Sequence, residues 1–279
     1  GGWIDALREG GAVTEDVNGG GRYGGRIALA LQPTDNLTIT PRVVFQKIET
    51  DGFNREEVYN LFANPYTTTR PPVQLGERQQ FLRLDEAFED ETMIADLVIN
   101  WSLDAVDVTY AGSYVDREIL ASRDASALSG SVSVDLGFPE PAVLLPSNLR
   151  DTTDLQQVTH ELRFASNSDG PFNWVFGGFY SDVERTYAQR LPTPGYDAVT
   201  DQVLGAGTAA AVSNGYGPDS PYNSDLPYDI EQTALFGEAS FDVTDRLSLT
   251  LGGRYYDFEE ERAPVRCWRP ADLRQLPVL

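Results

Sequence analysis

Apolar and polar residues alternate along eight segments of the chain. The last segment, Arg246–Glu259, shows this clearly, because leucines at positions 247, 249 and 251 are separated by serine and threonine. Alternation with a period of two residues places successive side chains on opposite faces of a β-strand. The pattern predicts an all-β fold with strands at Arg22–Gln32, Leu37–Lys47, Phe88–Trp101, Val106–Glu118, Asp154–Ala165, Phe172–Thr186, Asp229–Asp242 and Arg246–Glu259.

The connections between these strands are alternately short and long. Short turns rich in Pro, Ser, Asn and Asp join the strands in four successive pairs. The other three connections are long loops, at about Thr50–Ala87, Ala121–Thr153 and Ala188–Pro227. Short turns at one end of an antiparallel sheet and long loops at the other are typical of a transmembrane β-barrel, whereas a soluble β-sandwich has more even connections.

Aromatic residues recur at a constant distance from the short turns. Four of them lie eight residues after the first residue that follows a turn, and this even offset keeps both ends on one face. Eight residues span roughly 26 Å of strand, or roughly 20 Å of height at a tilt near 40°, which approaches the apolar band of an outer-membrane barrel. We predict two membrane girdles, one formed by Phe45, Tyr114, Tyr180 and Tyr255, and a second beside the turns formed by Trp101, Trp174 and Phe241 together with Phe172.

The other face of the predicted strands is polar. In a barrel this face would line the lumen, but in a soluble protein it would be the solvated face of a sheet. His160 is an exception on the apolar face, and we interpret it as a tolerated surface residue, a ligand-binding side chain or a sign of shifted register. The polar face of the predicted strands carries Arg42, Gln46, Asp107, Glu161, Arg163, Glu238 and Arg254.

Composition narrows the class of function. The net charge of −22 at pH 7 disfavours binding to nucleic acid, whose phosphates are also negative. His160 and Cys267 are the only histidine and cysteine, which excludes a multi-histidine metal site and a zinc ribbon. The sequence contains no stretch of about 18 apolar residues, so it predicts no transmembrane helix. The sequence thus predicts no catalytic residues, no metal site, no cofactor and no nucleic-acid partner.

Three strings resemble the barrel of the TonB-dependent outer-membrane receptors. Each string is moderately specific, and their order and spacing extend the resemblance over about residues 1–262. They are FGEASFDVTDRLSLTLGGRY at Phe236–Tyr255, ELRFAS at Glu161–Ser166 followed by WVFGGFY at Trp174–Tyr180, and RYGGR at Arg22–Arg26 followed by PTDNL at Pro33–Leu37.

This resemblance implies a barrel of about 22 strands in the outer membrane of a Gram-negative bacterium, surrounded by lipid and closed by an N-terminal plug. It implies energised uptake of a scarce ligand, driven by a TonB-type partner, and a ferric siderophore is the first expectation for that ligand. Eight strands form only part of such a barrel, and the chain shows no plug. We expect residues 1–262 to be a partial barrel domain. Residues 263–279 are expected to be an atypical tail, produced by a frameshift or formed by an ordinary loop.

Ligand contacts in such a receptor would come from the long loops. Arginine pairs with anionic ligands and tyrosine offers a flat amphipathic surface. The acidic runs Glu89–Glu91 and Glu259–Glu261 are interpreted as solvated charge at the loop end, rather than as a metal site or a glycosidase pair. The candidate ligand-binding residues are Tyr66, Arg70, Arg123, Arg190 and Tyr196.

Two other functions remain open from the residues alone. A passive porin would have the same strand pattern without an upstream plug. A secreted β-rich hydrolase would bury the apolar face of the last strand in a core between two sheets.

Overall fold

The chain forms one large antiparallel sheet, one small sheet and short helices in the loops. The computed structural model describes residues 1–57 and 74–262. The strands are β1 Asp5–Leu7, β2 Val13–Thr14, β3 Gly20–Ala28, β4 Leu31–Thr34, β5 Leu37–Thr50, β6 Gln79–Phe81, β7 Ala87–Ser102, β8 Val106–Asp124, β9 Asn148–Ser166, β10 Phe172–Arg190, β11 Asn223–Thr244 and β12 Leu247–Arg262. The α-helices are α1 Ser126–Asp135, α2 Glu140–Val143, α3 Tyr196–Leu204 and α4 Thr208–Val212.

The large sheet is an antiparallel meander. Its strand order is β12-β11-β10-β9-β8-β7-β5-β3, and β4 pairs with β5 beside β3. Pairing is continuous over long strands, as between β10 and β11, which stay in register from Phe172 opposite Phe241 to Arg190 opposite Asn223. Over the described residues the sheet is open, with β3 and β12 as its edges. The predicted partial, antiparallel all-β architecture, with short turns at one end and long loops at the other, is confirmed.

A proline splits the first predicted strand. The segment Arg22–Gln32 forms β3 and β4, which are separated at Leu29 and Ala30. The Leu29 N–H donates to the carbonyl oxygen of Pro41 at 3.1 Å, but Pro41 has no N–H to return the bond. β5 itself runs through Pro41 without a break. The proline therefore interrupts the neighbouring strand and not the one that contains it.

The strands extend further into the long loops than the alternation predicts. β8 continues to Asp124, β9 begins at Asn148, and β10 continues to Arg190. These extensions mix polar and apolar residues on both faces, so the period of two is lost there. The predicted loops Ala121–Thr153 and Ala188–Pro227 are therefore shorter, and each contains two of the α-helices. None of the helices in the described ranges has the length and apolar character needed to cross a bilayer.

A small sheet lies at the loop end of the molecule. Its order is β2-β1-β6, and β1 pairs with β6 in parallel. Ile4, Ala6, Val17 and Leu82 form a buried apolar cluster around it. Strands of two or three residues are too short to show a period, and this sheet was not predicted.

The large sheet keeps its apolar face exposed. In strands away from the sheet edges, relative exposure is 49% at Val43, 51% at Phe176 and 57% at Leu235. A β-sandwich would bury such a face against a second sheet. In the part of the chain that the structure describes, this face has no covering layer, which favours a lipid-facing surface over a hydrolase core.

Candidate functional site

Cross-strand pairing assigns the predicted girdle residues to one face of the sheet. Directly opposed residues in an antiparallel pair share a face. Tyr180, for example, lies opposite His160 in β9 and Thr233 in β11. The remaining opposed pairs are Phe45 with Met93, Tyr114 with Val158, Tyr255 with Leu235, Trp101 with Leu37, Trp174 with Ala239 and Phe241 with Phe172.

The loop-side aromatics follow a line that crosses the strands obliquely. Starting from Tyr255 in β12, we followed the directly paired residue in each neighbouring strand across the sheet. This path ends at Ile39 in β5. Ile39 lies six residues before Phe45, and six strand-to-strand steps separate β12 from β5, so the row slips by one residue per step. A slip of about 3.3 Å per strand spacing of about 4.8 Å corresponds to a tilt of about 35°, which is within the range of transmembrane barrels.

The turn-side aromatics follow the same oblique line. Traced from Trp101 in β7, the register reaches Gly237 in β11 after four steps. Phe241 lies four residues nearer the turn than Gly237, which again is one residue per step. From Trp101 to Phe241 the two rows therefore have the same slope, and Trp174 lies within one residue of that line. Strands tilted by about 35° bring each row close to a common height.

His160 has partners on the apolar face, so the register is not shifted there. A hydrogen bond of 2.8 Å joins the Tyr110 hydroxyl to Nδ1 of His160. The imidazole stacks with the rings of Tyr110 and Tyr180, with centroid distances of 6.1 and 6.5 Å. Gly112 lies directly opposite His160, and a Cβ at Gly112 would approach the Tyr110 hydroxyl to 2.4 Å. The glycine therefore provides the space through which Tyr110 reaches the histidine.

The opposite face carries ion pairs between neighbouring strands. Arg42 Nε lies 2.7 Å from Asp96, and Arg117 lies 2.5 Å from Asp90. The guanidinium of Arg254 lies 5.5 Å from the ring centroid of Phe236. Such laterally paired charges suit a wet lumen, where each charge keeps both a partner and water.

Two of the predicted ligand-binding arginines lie at the loop end of the sheet and have acidic partners. Arg123 pairs with Asp151. Arg190 lies 2.6 Å from Asp225, and its guanidinium lies 4.8 Å from the ring centroid of Tyr216. These pairs join the upper ends of adjacent strands, so an anionic ligand would have to compete with a carboxylate at each arginine. Predicted residues 66 and 70 lie outside the described residues.

Tyr196, the first residue of α3, lies in the wall of a cavity of about 400 Å³. The cavity is partly open to solvent and is lined by α1, α3, α4 and the loop-side ends of β9, β10 and β11. The Tyr196 ring lies 5.7 Å from that of Phe138, and burial raises the pKa of its phenol. Sequence reasoning missed this cavity because its helices lie in two segments that were both predicted to be loops. Leu128, Val132 and Leu136, spaced by four residues, are the helical signal that could have revealed it.

The acidic runs lie on the loop-side ends of β7 and β12. Asp90 in the first run is held by Arg117, and Glu260 in the second pairs with Arg262. Within residues 1–57 and 74–262, no three His, Cys, Asp or Glu side chains are grouped in a way that could hold a metal ion.

An antiparallel meander with one apolar face, two parallel aromatic rows and a turn end opposite a loop end defines an outer-membrane β-barrel protein. A family model described as TonB dependent receptor-like, beta-barrel, matches residues 32–265. The chain belongs to this family of Gram-negative outer-membrane proteins, whose members are transporters and not enzymes. The predicted family and localisation are confirmed.

Among solved structures, the chain is similar to the ferric yersiniabactin uptake receptor FyuA from Yersinia pestis. The TM-score is 0.59 at 13% sequence identity, and the match covers 94% of this chain and 36% of that receptor. At this identity the likeness concerns the fold. The chain spans about a third of the length of that receptor. No curated protein matches the chain.

Proposed function

We propose that this chain is part of the barrel of an outer-membrane receptor for energised uptake of a scarce small molecule. The observation that carries the proposal is the oblique slip of both aromatic rows, which is the geometry of a tilted transmembrane barrel, in a chain of the TonB-dependent receptor family. In this mechanism the long loops capture the ligand. A plug then moves within the barrel when a TonB-type partner transmits energy from the inner-membrane proton gradient.

The two aromatic rows act as the membrane girdles in this proposal. Tyrosine and tryptophan favour the interface because one end of the ring system is apolar and the other is polar. The apolar residues between the rows face lipid tails, and the ion-paired face lines the lumen. The loop-side row comprises Phe45, Tyr114, Tyr180 and Tyr255, and the turn-side row comprises Trp101, Trp174 and Phe241.

A ferric siderophore is the first candidate for the ligand. The likeness to FyuA, named as a ferric yersiniabactin uptake receptor, supports this choice at the level of the fold. Arg123, Arg190 and Tyr196 lie at the loop end, where a ligand arrives from outside the cell. Tyr66 and Arg70 complete the proposed set of contacts.

Uptake in cells distinguishes the proposed receptor from a passive pore. The protein is expressed from its gene in a Gram-negative host without its own siderophore receptors, and accumulation of radioactive iron is measured for a panel of siderophores. We expect uptake that saturates, stops when a protonophore collapses the proton gradient, and requires the host's TonB protein. Uptake that rises linearly with concentration and ignores the protonophore would indicate a porin. Energised uptake confined to a ligand without iron would overturn the siderophore assignment alone.

A further inference from the structure

The helix α1 has its polar side buried and its apolar side exposed. The usual arrangement for a loop helix at a protein surface is the reverse, because apolar side chains gain from leaving water. The buried side is formed by Ser126, Ser129 and Ser133, whose exposed fractions are 1%, 6% and 0%. The exposed side is formed by Leu128, Val132 and Leu136, whose exposed fractions are 55%, 46% and 40%.

The exposed stripe of α1 lines the 400 Å³ cavity, which is itself partly open to solvent. Leu128, Val132 and Leu136 all line the cavity, and their spacing of four residues places them on one face of the helix. A second stripe with the same spacing, Tyr196 to Leu204 through Thr200, lines it from α3. The apolar stripe of α1 and the mixed stripe of α3 therefore line one cavity, whose volume is within the range of small-molecule sites.

A buried hydroxyl in this cavity lacks a partner. Thr200 is 6% exposed, and its Oγ1 atom has no hydrogen-bond partner among the described residues. A buried hydroxyl without a partner is unfavourable. The Oγ1 atom is covered by protein atoms, and a rotation about the Cα–Cβ bond would turn the hydroxyl towards the cavity that Thr200 lines, where a bound group would supply the missing bond.

The charge of the cavity wall restricts the class of ligand. Among the described residues of the wall there is no arginine or lysine, and Asp197 is the one carboxylate. Burial raises the pKa of the Tyr196 phenol, so this side chain stays neutral at physiological pH. An anionic group would meet Asp197 and no compensating cation, whereas an uncharged aromatic or aliphatic group would meet matching surface.

We infer that the cavity between α1, α3 and α4 binds an uncharged, mainly apolar group that hydrogen-bonds to the Thr200 hydroxyl. This inference rests on the proposed uptake function and deepens it, because the cavity would hold an apolar part of the ligand at the outer surface. The rim arginines at 123 and 190 lie outside the cavity wall and take no part in this contact.

A pair of probes that differ in charge tests the inference. The purified protein in detergent micelles is mixed with 2-naphthol, which is neutral at pH 7, or with 2-naphthoate, which is anionic and of similar size. Saturation-transfer NMR and a titration report binding. We expect saturable binding of 2-naphthol and at least tenfold weaker binding of 2-naphthoate.

Matched variants locate the binding. Ala209 is buried in the cavity wall, whereas its neighbour Ala210 is exposed on the same helix and lies outside the wall. Ala209→Phe fills the cavity and should abolish saturable binding of 2-naphthol, and Ala210→Phe should leave it unchanged. Thr200→Val keeps the shape but removes the hydroxyl, and should weaken binding about twofold to tenfold, the worth of one hydrogen bond. This second variant keeps the test valid if Ala209→Phe does not fold.

Two results would overturn the inference. One is binding of 2-naphthol that is unaffected by both Ala209→Phe and Thr200→Val. The other is 2-naphthoate binding as tightly as 2-naphthol. Because these measurements need neither a TonB-type partner nor a proton gradient, their failure beside intact energised uptake would reject the cavity and leave the proposed receptor function standing.

Discussion

At the residue scale, Gly112 decides how a histidine is accommodated on a face that is otherwise apolar. A Cβ at this position would lie 2.4 Å from the Tyr110 hydroxyl, which bonds to His160. We predict that Gly112→Ala displaces the tyrosine and breaks that bond, at a cost of about 0.5–1.5 kcal/mol in the free energy of unfolding. The measurement is a denaturant titration of the protein in detergent.

Gly253→Ala is the matched control, because it lies on the same face and a Cβ there has no atom within 4 Å. Gly253→Ala should leave the free energy of unfolding unchanged or raise it, since alanine reduces the conformational entropy of the unfolded chain. Equal stability of the two variants would contradict the role assigned to Gly112.

Glu86 is a buried carboxylate whose two oxygens differ in their contacts. Oε1 accepts the N–H of Asp124 at 2.9 Å and contacts Arg55, whereas Oε2 has no partner among the described residues. Burial raises the pKa of Glu86, an effect that the Arg55 charge only partly offsets. A raised carboxyl pKa means that the folded state favours the protonated form. The resulting stability is present below the ordinary pKa of the group and is lost as the pH rises through the raised value.

We therefore predict that Glu86→Gln becomes progressively more favourable, relative to the unmodified protein, as the pH increases from acidic to neutral. Hydrogen exchange at the Asp124 amide, corrected for the intrinsic effect of pH, measures this local stability. Asp85→Asn is the control for the loss of a neighbouring carboxylate, because that side chain is 93% exposed and pairs with Arg8 rather than with Arg55. Protection that falls in Glu86→Gln relative to the unmodified protein as the pH rises would show that the Arg55 contact outweighs burial.

The sequence predicts which residues share a face but not which ones are buried at the loop end. The positions of the aromatic rows follow from spacing along single strands, and the pairing places them on one face. Three features depend on residues distant in the chain: the contact between Tyr110 and His160, the burial of Glu86, and the Thr200 hydroxyl, which has no partner within residues 1–57 and 74–262. Such features leave no periodic pattern in the sequence.

At the scale of elements, alternation finds a strand only where its two faces meet different surroundings. All eight predicted strands are present because one face is apolar and the other polar over that part of each strand. The loop-side extensions of β8, β9 and β10 mix residue types on both faces, so the pattern ends before the strand does. The helices α1 and α3 were missed for a related reason: serine, glycine and aspartate occupy most positions between the residues of each stripe, so few residues carry the helical period.

The register identifies the point of β12 nearest the middle of the apolar band. Leu249 lies opposite Phe241 in the turn-side row, so Leu251 is the leucine closer to mid-height. We predict that Leu251→Arg costs about 2–4 kcal/mol of folding free energy in a lipid bilayer, the range for arginine near the midplane of a barrel. Thr250→Arg, on the opposite face of the same strand, should cost far less. Refolding titrations into lipid vesicles compare the two, and an equal cost would argue against lipid on the leucine face.

At the scale of the whole molecule, the architecture follows from local pairings, which explains why the sequence predicts it well. Each long strand pairs with the next one along the chain, so turn positions and alternation together determine the order of the sheet. The sequence does not predict the ligand in the same way. The shape of the candidate binding site depends on how helices and strand ends from separate loops meet, and the cavity walls come from residues 128 to 223.

Site-directed spin labelling of β10 tests whether the apolar face meets lipid. Cys267 is the only cysteine in the sequence, so a Cys267→Ser background permits one label at a time between positions 172 and 182, with the protein reconstituted in lipid bilayers. Collision with oxygen reports lipid, and collision with a water-soluble nickel chelate reports water. We predict that labels at Phe176, Gly178 and Tyr180 collide preferentially with oxygen, and that labels at Gly177 and Phe179 do not. The absence of this two-residue alternation, or free access of the nickel chelate to the even-numbered positions, would contradict a lipid-facing sheet.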